Sequence, residues 1–486
     1  MLSWACAAIV LIAIVPVACG LFQFLLVAFS AGFTHLEEAE DYTPRVSILI
    51  PAWNEGAVIG ATIDRLMALS YPKSRLRIFV IDDGSSDETP GICIAKSKEH
   101  HGNVFHIRRV AGGEGKAHTL NYGLRTLWAS EWTEAVLIMD ADVIYTPDSL
   151  RRMARHLADP EVGAVTAYIK EGSRQPNLVQ RFITFEYVTA TAASRRAQNV
   201  LGFLACLSGG AQLHSRENLM AIGGEIFSDT LAEDTFTTFK TQLAGRRALF
   251  EPNAVVYAEE PDSLQMLWKQ RVRWARGNVQ ITRHYKRLWF NKRAHPHLGS
   301  PTMAMLWFSI VLMPAFQIGA ASSLVALYFL DAPLAWRLFE VYWIVASAVY
   351  LLVTLISFVI DWESARKSWI EGIVFPGLVS FALIVHSLFP EVWTAVAPLL
   401  GFTPGSLLHT GGVLFIYAWL AVSMAVAWSA KWLEETRRLS WLAPVVLLIA
   451  GYGPFLCAVT LGAFVKEMTG AERTWDKTEK TGKVGA

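Results

Sequence analysis

The strongest constraint on this chain is where it carries no charge. Through the first 36 residues only His35 is a candidate for charge, and Leu2–Ala31 is an almost unbroken apolar run. Roughly 20 such residues suffice to cross a bilayer. A cleaved leader would need a positive start and a shorter apolar core, so the run is read as a permanent span. From Pro44 to Arg293 the chain reads like an ordinary water-soluble protein, and after it the apolar runs return. Five are expected to span or enter a membrane: Met303–Leu330, Glu340–Ile360, Ile370–Leu388, Gly412–Ala430 and Leu442–Val465. The third of these is the weakest, because Glu371, Pro376, His386 and Pro390 interrupt or flank it, and a re-entrant path is its alternative. The chain is thus expected to divide into a span (1–36), a soluble domain (44–261), amphipathic interface helices (262–300), C-terminal spans (301–466) and a polar tail (467–486).

Loop charges orient the set, since basic loops stay on the cytoplasmic side. "DWESARKSW" and "KWLEETRR" are expected there with the soluble domain, in a multi-pass protein of the plasma (inner) membrane. With all five C-terminal stretches spanning, the lysine-bearing tail would fall outside. A re-entrant Ile370–Leu388 would bring it in but push "KWLEETRR" out. A net charge of +1 gives no global case for a nucleic-acid partner. Five scattered cysteines without C-x-x-C spacing suggest neither a disulfide framework nor a zinc site.

Within the soluble block, β-rich runs at 45–50, 76–82, 103–109 and 134–140 alternate with helical patterns. Such alternation predicts an α/β fold, a parallel sheet covered by helices on both faces. Ligands of such sheets bind at the carboxyl ends of the strands. The loops there are "PAWNE", "DDGSSD", "GGEGK" and "DADV", polar in every case and acidic in most.

Each loop has a chemical reading and an ordinary one. Asp82 and Asp83 suit a ligand contact or a turn and helix cap. Asp140 and Asp142, two residues apart, suit a hard cation such as Mg²⁺ or Mn²⁺ completed by a diphosphate, although an isolated D-x-D is weak. Lys116 follows three closely spaced glycines and opens a helix, which offers amides and an ammonium to a phosphate. Asp234, beside Glu233, starts a helical pattern whose dipole would keep a carboxylate ionised, as a general base requires. An acidic first turn is the plain alternative.

Taken in order, "PAWNE", "DDGSSDET", "GKAHTLN", "DAD", "SGG", "AED" and "QRVRW" resemble the family-2 glycosyltransferases of the GT-A fold. The last element resembles the Q-x-x-R-W signature of processive polysaccharide synthases (cellulose, chitin and hyaluronan synthases). "LWKQRVRWARG" after "FEPNAVVYAEEPDSL" is most similar to bacterial poly-β-1,6-N-acetylglucosamine synthases. The resemblance implies a GT-A (Rossmann-like) domain inserted in a helical membrane region. It implies an inverting, processive transferase that draws on a UDP-sugar, UDP-N-acetylglucosamine first, and exports a β-linked polymer. Asp82, Asp83, Lys116 and Asp140 would contact the donor, and Asp142 with Asp140 the Mg²⁺ or Mn²⁺ ion. Asp234 would be the base. Gln270, Arg273 and Trp274 would meet the pyrophosphate and the growing polysaccharide acceptor, while Lys269, Arg271 and Arg276 are expected to be membrane-interface charges. Ser208, Gly209 and Arg216 match the pocket more loosely. A small membrane accessory subunit is the implied protein partner. Trp53 stands where tyrosine is more usual, and Glu114 where asparagine is common, which bears on donor selectivity. The alternatives are a single-sugar transfer to a polyprenyl or lipid acceptor, a hyaluronan-, chitin- or glucan-type synthase, or a transporter with a degenerate soluble domain.

Overall fold

A computed structural model describes residues 1–30, 41–391, 406–436 and 438–472. The soluble block is built on an eight-stranded sheet. Its strands are β1 (Val46–Ala52), β2 (Leu76–Asp82), β3 (Val104–Arg108), β4 (Ala135–Ile138), β5 (Ile144–Tyr145), β6 (Val162–Glu171), β7 (Gln212–Ser215) and β8 (Arg247–Ala258). Their order across the sheet is β3-β2-β1-β4-β7-β6-β8-β5. The four runs legible in the sequence form the parallel half, β3-β2-β1-β4. The all-parallel expectation needs correction beyond it, because β7 runs antiparallel to both β4 and β6. Continuous burial of β1 and β4 explains why these strands read as unbroken apolar runs, as two-sided strands do.

The helix Lys116–Trp128 lies so close to the sheet that a Cβ on Gly123 would strike Leu49 and Ile81. That contact fixes where the helix begins, and so where Lys116 sits. A second long helix runs from Leu178 to Val200 and changes to π-helical winding between Tyr187 and Ala193.

Among the described residues four helical segments are long and apolar enough to cross a membrane: Leu2–Ala28, Met313–Leu330, Ala332–Ile360 and Leu407–Glu435. The expected span at 303–330 is broken at Leu312 into Pro301–Val311 and Met313–Leu330. The expected span at 340–360 is the end of a longer helix. The stretch at 370–388 breaks between Trp369–Val374 and Leu378–Leu388. The stretch at 442–465 is not one straight helix either: Leu442–Ala450 and Tyr452–Met468 meet at 93°. Of the expected tail, 473–486 lies outside the described residues.

Of the interface helices expected over 262–300, one forms, Leu264–His284, here called the interface helix, and turns follow it to Ser300. Two of its expected surface charges are buried. Arg271 pairs with Glu186 at 2.9 Å, and Arg276 with Glu467 at 2.7 Å. The interface helix packs along Tyr452–Met468, with Trp268 against Phe455. It is therefore clamped between the sheet domain and the C-terminal helices, so its arginines need protein partners rather than headgroups.

The two breaks at 375–377 and 451 meet each other. Gly377 (φ 91°) and Gly451 (φ 104°) occupy the left-handed region. A Cβ on the first would strike the backbone of Ala450, and one on the second that of Pro376. Gly451→Ala is expected to lower the thermal midpoint of the detergent-solubilised protein, at a cost of about 1 kcal/mol or more. Gly411→Ala, in a helix where a Cβ meets nothing, should not lower the midpoint in the same assay.

Candidate active site

The polar loops after β1, β2, β3 and β4 gather at one end of the sheet. After β2, Asp82 is fully buried, taking the Ser85 amide at 2.8 Å and standing 3.3 Å from His106 Nε2. It shapes the turn. Asp83 accepts from Arg109 and, at 3.0 Å, from the Gly113 amide, and Arg109 also holds Glu114. The loop after β3 is thereby tied to the loop after β2, and Glu114 serves this bridge. Trp53, after β1, is 47% exposed.

Lys116 is the centre of the site. Its ammonium lies 2.5 Å from Asp140 Oδ1, 3.8 Å from Glu233 Oε1 and 3.1 Å from the Gly209 carbonyl oxygen. Burial works against the charge, but Asp140 and Glu233 together hold the ammonium pKa above its ordinary value. Burial likewise pushes the Glu233 carboxyl up, against the pull of Lys116. Asp234 follows in the first turn of the helix Glu233–Leu243. The Thr235 amide donates to Asp234 Oδ1 at 2.7 Å, while Oδ2 faces Gly209, where a Cβ would come within 3.2 Å. A Cβ on Gly210 would likewise approach Asp140 Oδ2 to 3.1 Å. The glycines of "SGG" thus leave the carboxylates an open wall.

The structure joins Lys116, Asp140, Gly209 and Asp234 in one cluster, with Asp142 two residues on from Asp140 and nearly buried. Arg273 enters from the interface helix, and its charge, after that of Lys116, opposes the rise of the Glu233 pKa. Gln270 and Trp274 lie on the same helix. Arg216 does not join: it reaches Glu131 and the Thr133 carbonyl, beside the start of β4 at the opposite end of that strand. Several participants had no sequence signature. Glu233 was legible only as a helix-start acid. Arg195, half-buried, donates to Ser208 at 2.6 Å, and its own pKa is lowered by desolvation. Cys206 lies beneath Asp234, 3.2 Å from Thr235 Oγ1, its thiol pushed up by burial.

Two carboxylates from one loop, with a bare glycine wall beside them, fit a hard divalent cation that takes further oxygens from a diphosphate. Among the described residues no third acidic, histidine or cysteine ligand closes around Asp140 and Asp142.

The model of the glycosyltransferase-like family 2 matches residues 44–277. Over this stretch the chain carries a domain of the family-2 glycosyltransferase type. The match ends at Gly277, within the interface helix. Over 272 residues the chain is 31% identical to the poly-β-1,6-N-acetyl-D-glucosamine synthase of Staphylococcus aureus strain COL, covering 55% of this chain and 63% of the relative. It is 32% identical over 243 residues to a Bacillus subtilis (strain 168) protein named a probable glycosyltransferase, covering 49% of this chain and 56% of that one. The matches thus span less than two thirds of these relatives. A mannosyltransferase from Pyrobaculum calidifontis, solved with GDP-mannose and Mn²⁺, shares the fold at TM-score 0.54 and 22% identity, covering 80% of this chain and 99% of that one.

Lys116→Met is expected to strand Glu233 and Asp140 without their cation, at about 3 kcal/mol or more. The sign of its pH dependence follows from Glu233. A carboxyl whose folded pKa lies above the unfolded value favours folding at low pH and disfavours it as pH rises. Thermal unfolding of both proteins should therefore show the deficit growing from pH 5 to pH 8.

Proposed function

We propose that the chain is a membrane-embedded, processive, inverting glycosyltransferase that polymerises a β-linked polysaccharide from a UDP-sugar and passes it across the bilayer. The observation that carries this reading is Asp234, with one oxygen held by Thr235 and the other facing the open wall at Gly209, beside Lys116 and Asp140. UDP-N-acetylglucosamine is the first candidate donor, by similarity to the staphylococcal synthase.

A sugar hydroxyl is a weak nucleophile, so Asp234 takes its proton as the oxygen bonds to the anomeric carbon. The bond from that carbon to the diphosphate breaks on the opposite face, UDP leaves with the electron pair, and the centre inverts. Lys116 and Arg273 supply fixed positive charge where the leaving group becomes more negative. A Mg²⁺ or Mn²⁺ ion held by Asp140 and Asp142 would add Lewis-acid stabilisation of that charge. Asp83, Arg109 and Gly113 shape the donor's nucleoside side, and Trp274 offers the acceptor an exposed ring face.

The same reading orients the membrane region. Asp361 pairs with Lys170 of the sheet domain at 2.7 Å, and Glu371 with Arg181 at 2.6 Å. Glu434 accepts from the amides that open the interface helix, and Glu467 binds Arg276. All four acids therefore sit on the catalytic side, in the cytoplasm. His386 approaches Trp336, near the far end of Ala332–Ile360, so 369–388 crosses as a broken helix. The hairpin 442–468 enters and returns. This gives five crossings and one re-entrant pair, with "KWLEETRR" and the tail both inside, as their basic charge favours.

Membrane vesicles given UDP-N-acetylglucosamine with Mg²⁺ or Mn²⁺ are expected to release UDP and form a polymer cut by a β-1,6-specific hydrolase. Asp234→Asn should lower transfer by about 10²-fold or more, and chelation should abolish it. A product of one sugar on lipid would contradict processivity. A tag placed after Ala486 should be digested from the same membrane face as the glycosyltransferase domain.

A further inference from the structure

The interface helix carries a polar group whose partner is missing on one side only. Gln270 donates through Nε2 to Glu260 Oε2 at 3.2 Å. Its Oε1 is buried and meets no hydrogen-bond donor among the described residues. A buried amide oxygen left without a donor is costly, roughly 1–3 kcal/mol, so such an atom in a cleft points to a ligand that donates.

The orientation of that amide is set by its neighbour. Glu260 is buried and accepts at its other oxygen from the Tyr187 hydroxyl at 2.6 Å. Its backbone carbonyl takes the Gln180 amide at 3.1 Å, which fixes the backbone from which the carboxylate projects. Arg271, paired with Glu186, adds positive charge that Glu260 feels. A carboxylate offers acceptors, so it selects the NH₂ end of Gln270 and leaves Oε1 on the side away from Glu260. Tyr187 and Glu186 belong to the start of the π-helical stretch, a winding often found at functional sites.

We propose that Glu260 is a positioning residue that holds the Gln270 amide so that its oxygen accepts a hydrogen bond from a hydroxyl of the acceptor sugar. The inference rests on the glycosyltransferase reading above and narrows it. An amide oxygen repels a diphosphate, so of the two ligands this segment faces, Gln270 serves the sugar and Arg273 the anion. Trp274, one turn along and 38% exposed, has one ring face covered by Arg271 at 4.1 Å. Stacking on its remaining face and a hydrogen bond to Gln270 would together register the acceptor's terminal ring.

The test is an exchange of the two side chains. Glu260→Gln removes the rule that fixes the amide and is expected to lower sugar transfer about tenfold or more, with the KM for UDP-sugar within about twofold of wild type. The double variant E260Q/Q270E restores a donor–acceptor pair and again presents an acceptor oxygen to the sugar. It should recover transfer to within about threefold of wild type, a coupling readable as a double-mutant cycle. Gln270→Leu keeps the bulk without the acceptor and should lose transfer. UDP binding by each variant reports that its fold and donor site are intact. A swap that binds UDP yet transfers no better than E260Q, a raised donor KM in the swap, or a Q270L variant that transfers normally would overturn the proposal. Wild-type protein that transfers no sugar from any UDP-sugar would instead overturn the functional reading on which it rests.

Discussion

One buried ammonium holds the site together. Lys116 opens the helix after β3, yet its partners come from the loop after β4, the "SGG" turn and the first turn of Glu233–Leu243. Withdrawing that charge from water costs several kcal/mol, which the surrounding carboxylates must offset. The helix that carries Lys116 can sit at this depth only because Gly123 lets it touch the sheet. Packing and electrostatics therefore specify the same geometry. A charged donor entering such a site meets groups already held in place, which spares the cost of reorganising them.

The parallel half of the sheet was legible because its strands are buried on both faces and separated by turn-rich loops. The antiparallel half was harder to see. β7 is four residues long, and β5 two, too short for a period to show. Asp140 and Asp234 could be found from strand-end and helix-start patterns, and the order of the motifs gave them meaning. Asp82 carried the same local signal as Asp83 but turned inward, since adjacent residues at a strand end face opposite ways. Glu260, Arg195 and Arg271 were hidden because their partners lie 10 to 85 positions away in the chain. Arg271 and Arg276 misled for a physical reason. A basic amphipathic helix looks the same whether it meets headgroups or buried glutamates.

The interface helix joins the sheet domain to the C-terminal helices. Its first amides are capped by Glu434, its middle binds Glu186, and its later turns bind Glu467 and the carbonyls of Ala471 and Glu472. Gln270, Arg273 and Trp274 are therefore held from the sheet domain and from the C-terminal helices at once. Buried pairs of this kind add little net stability but penalise any other register. A displaced helix would leave several charges unpaired, so the surface that carries these three residues stays fixed.

In the proposed mechanism Lys116, Asp140 and Arg273 surround the leaving diphosphate, with Asp234 facing the acceptor. A structure of the detergent-solubilised protein with UDP and Mn²⁺ tests it most directly. The account predicts the diphosphate between the Lys116 cluster and Arg273, with the ion on Asp140 and Asp142. UDP bound elsewhere, or held with Lys116 still closed on Asp140 and no ion beside it, would contradict it.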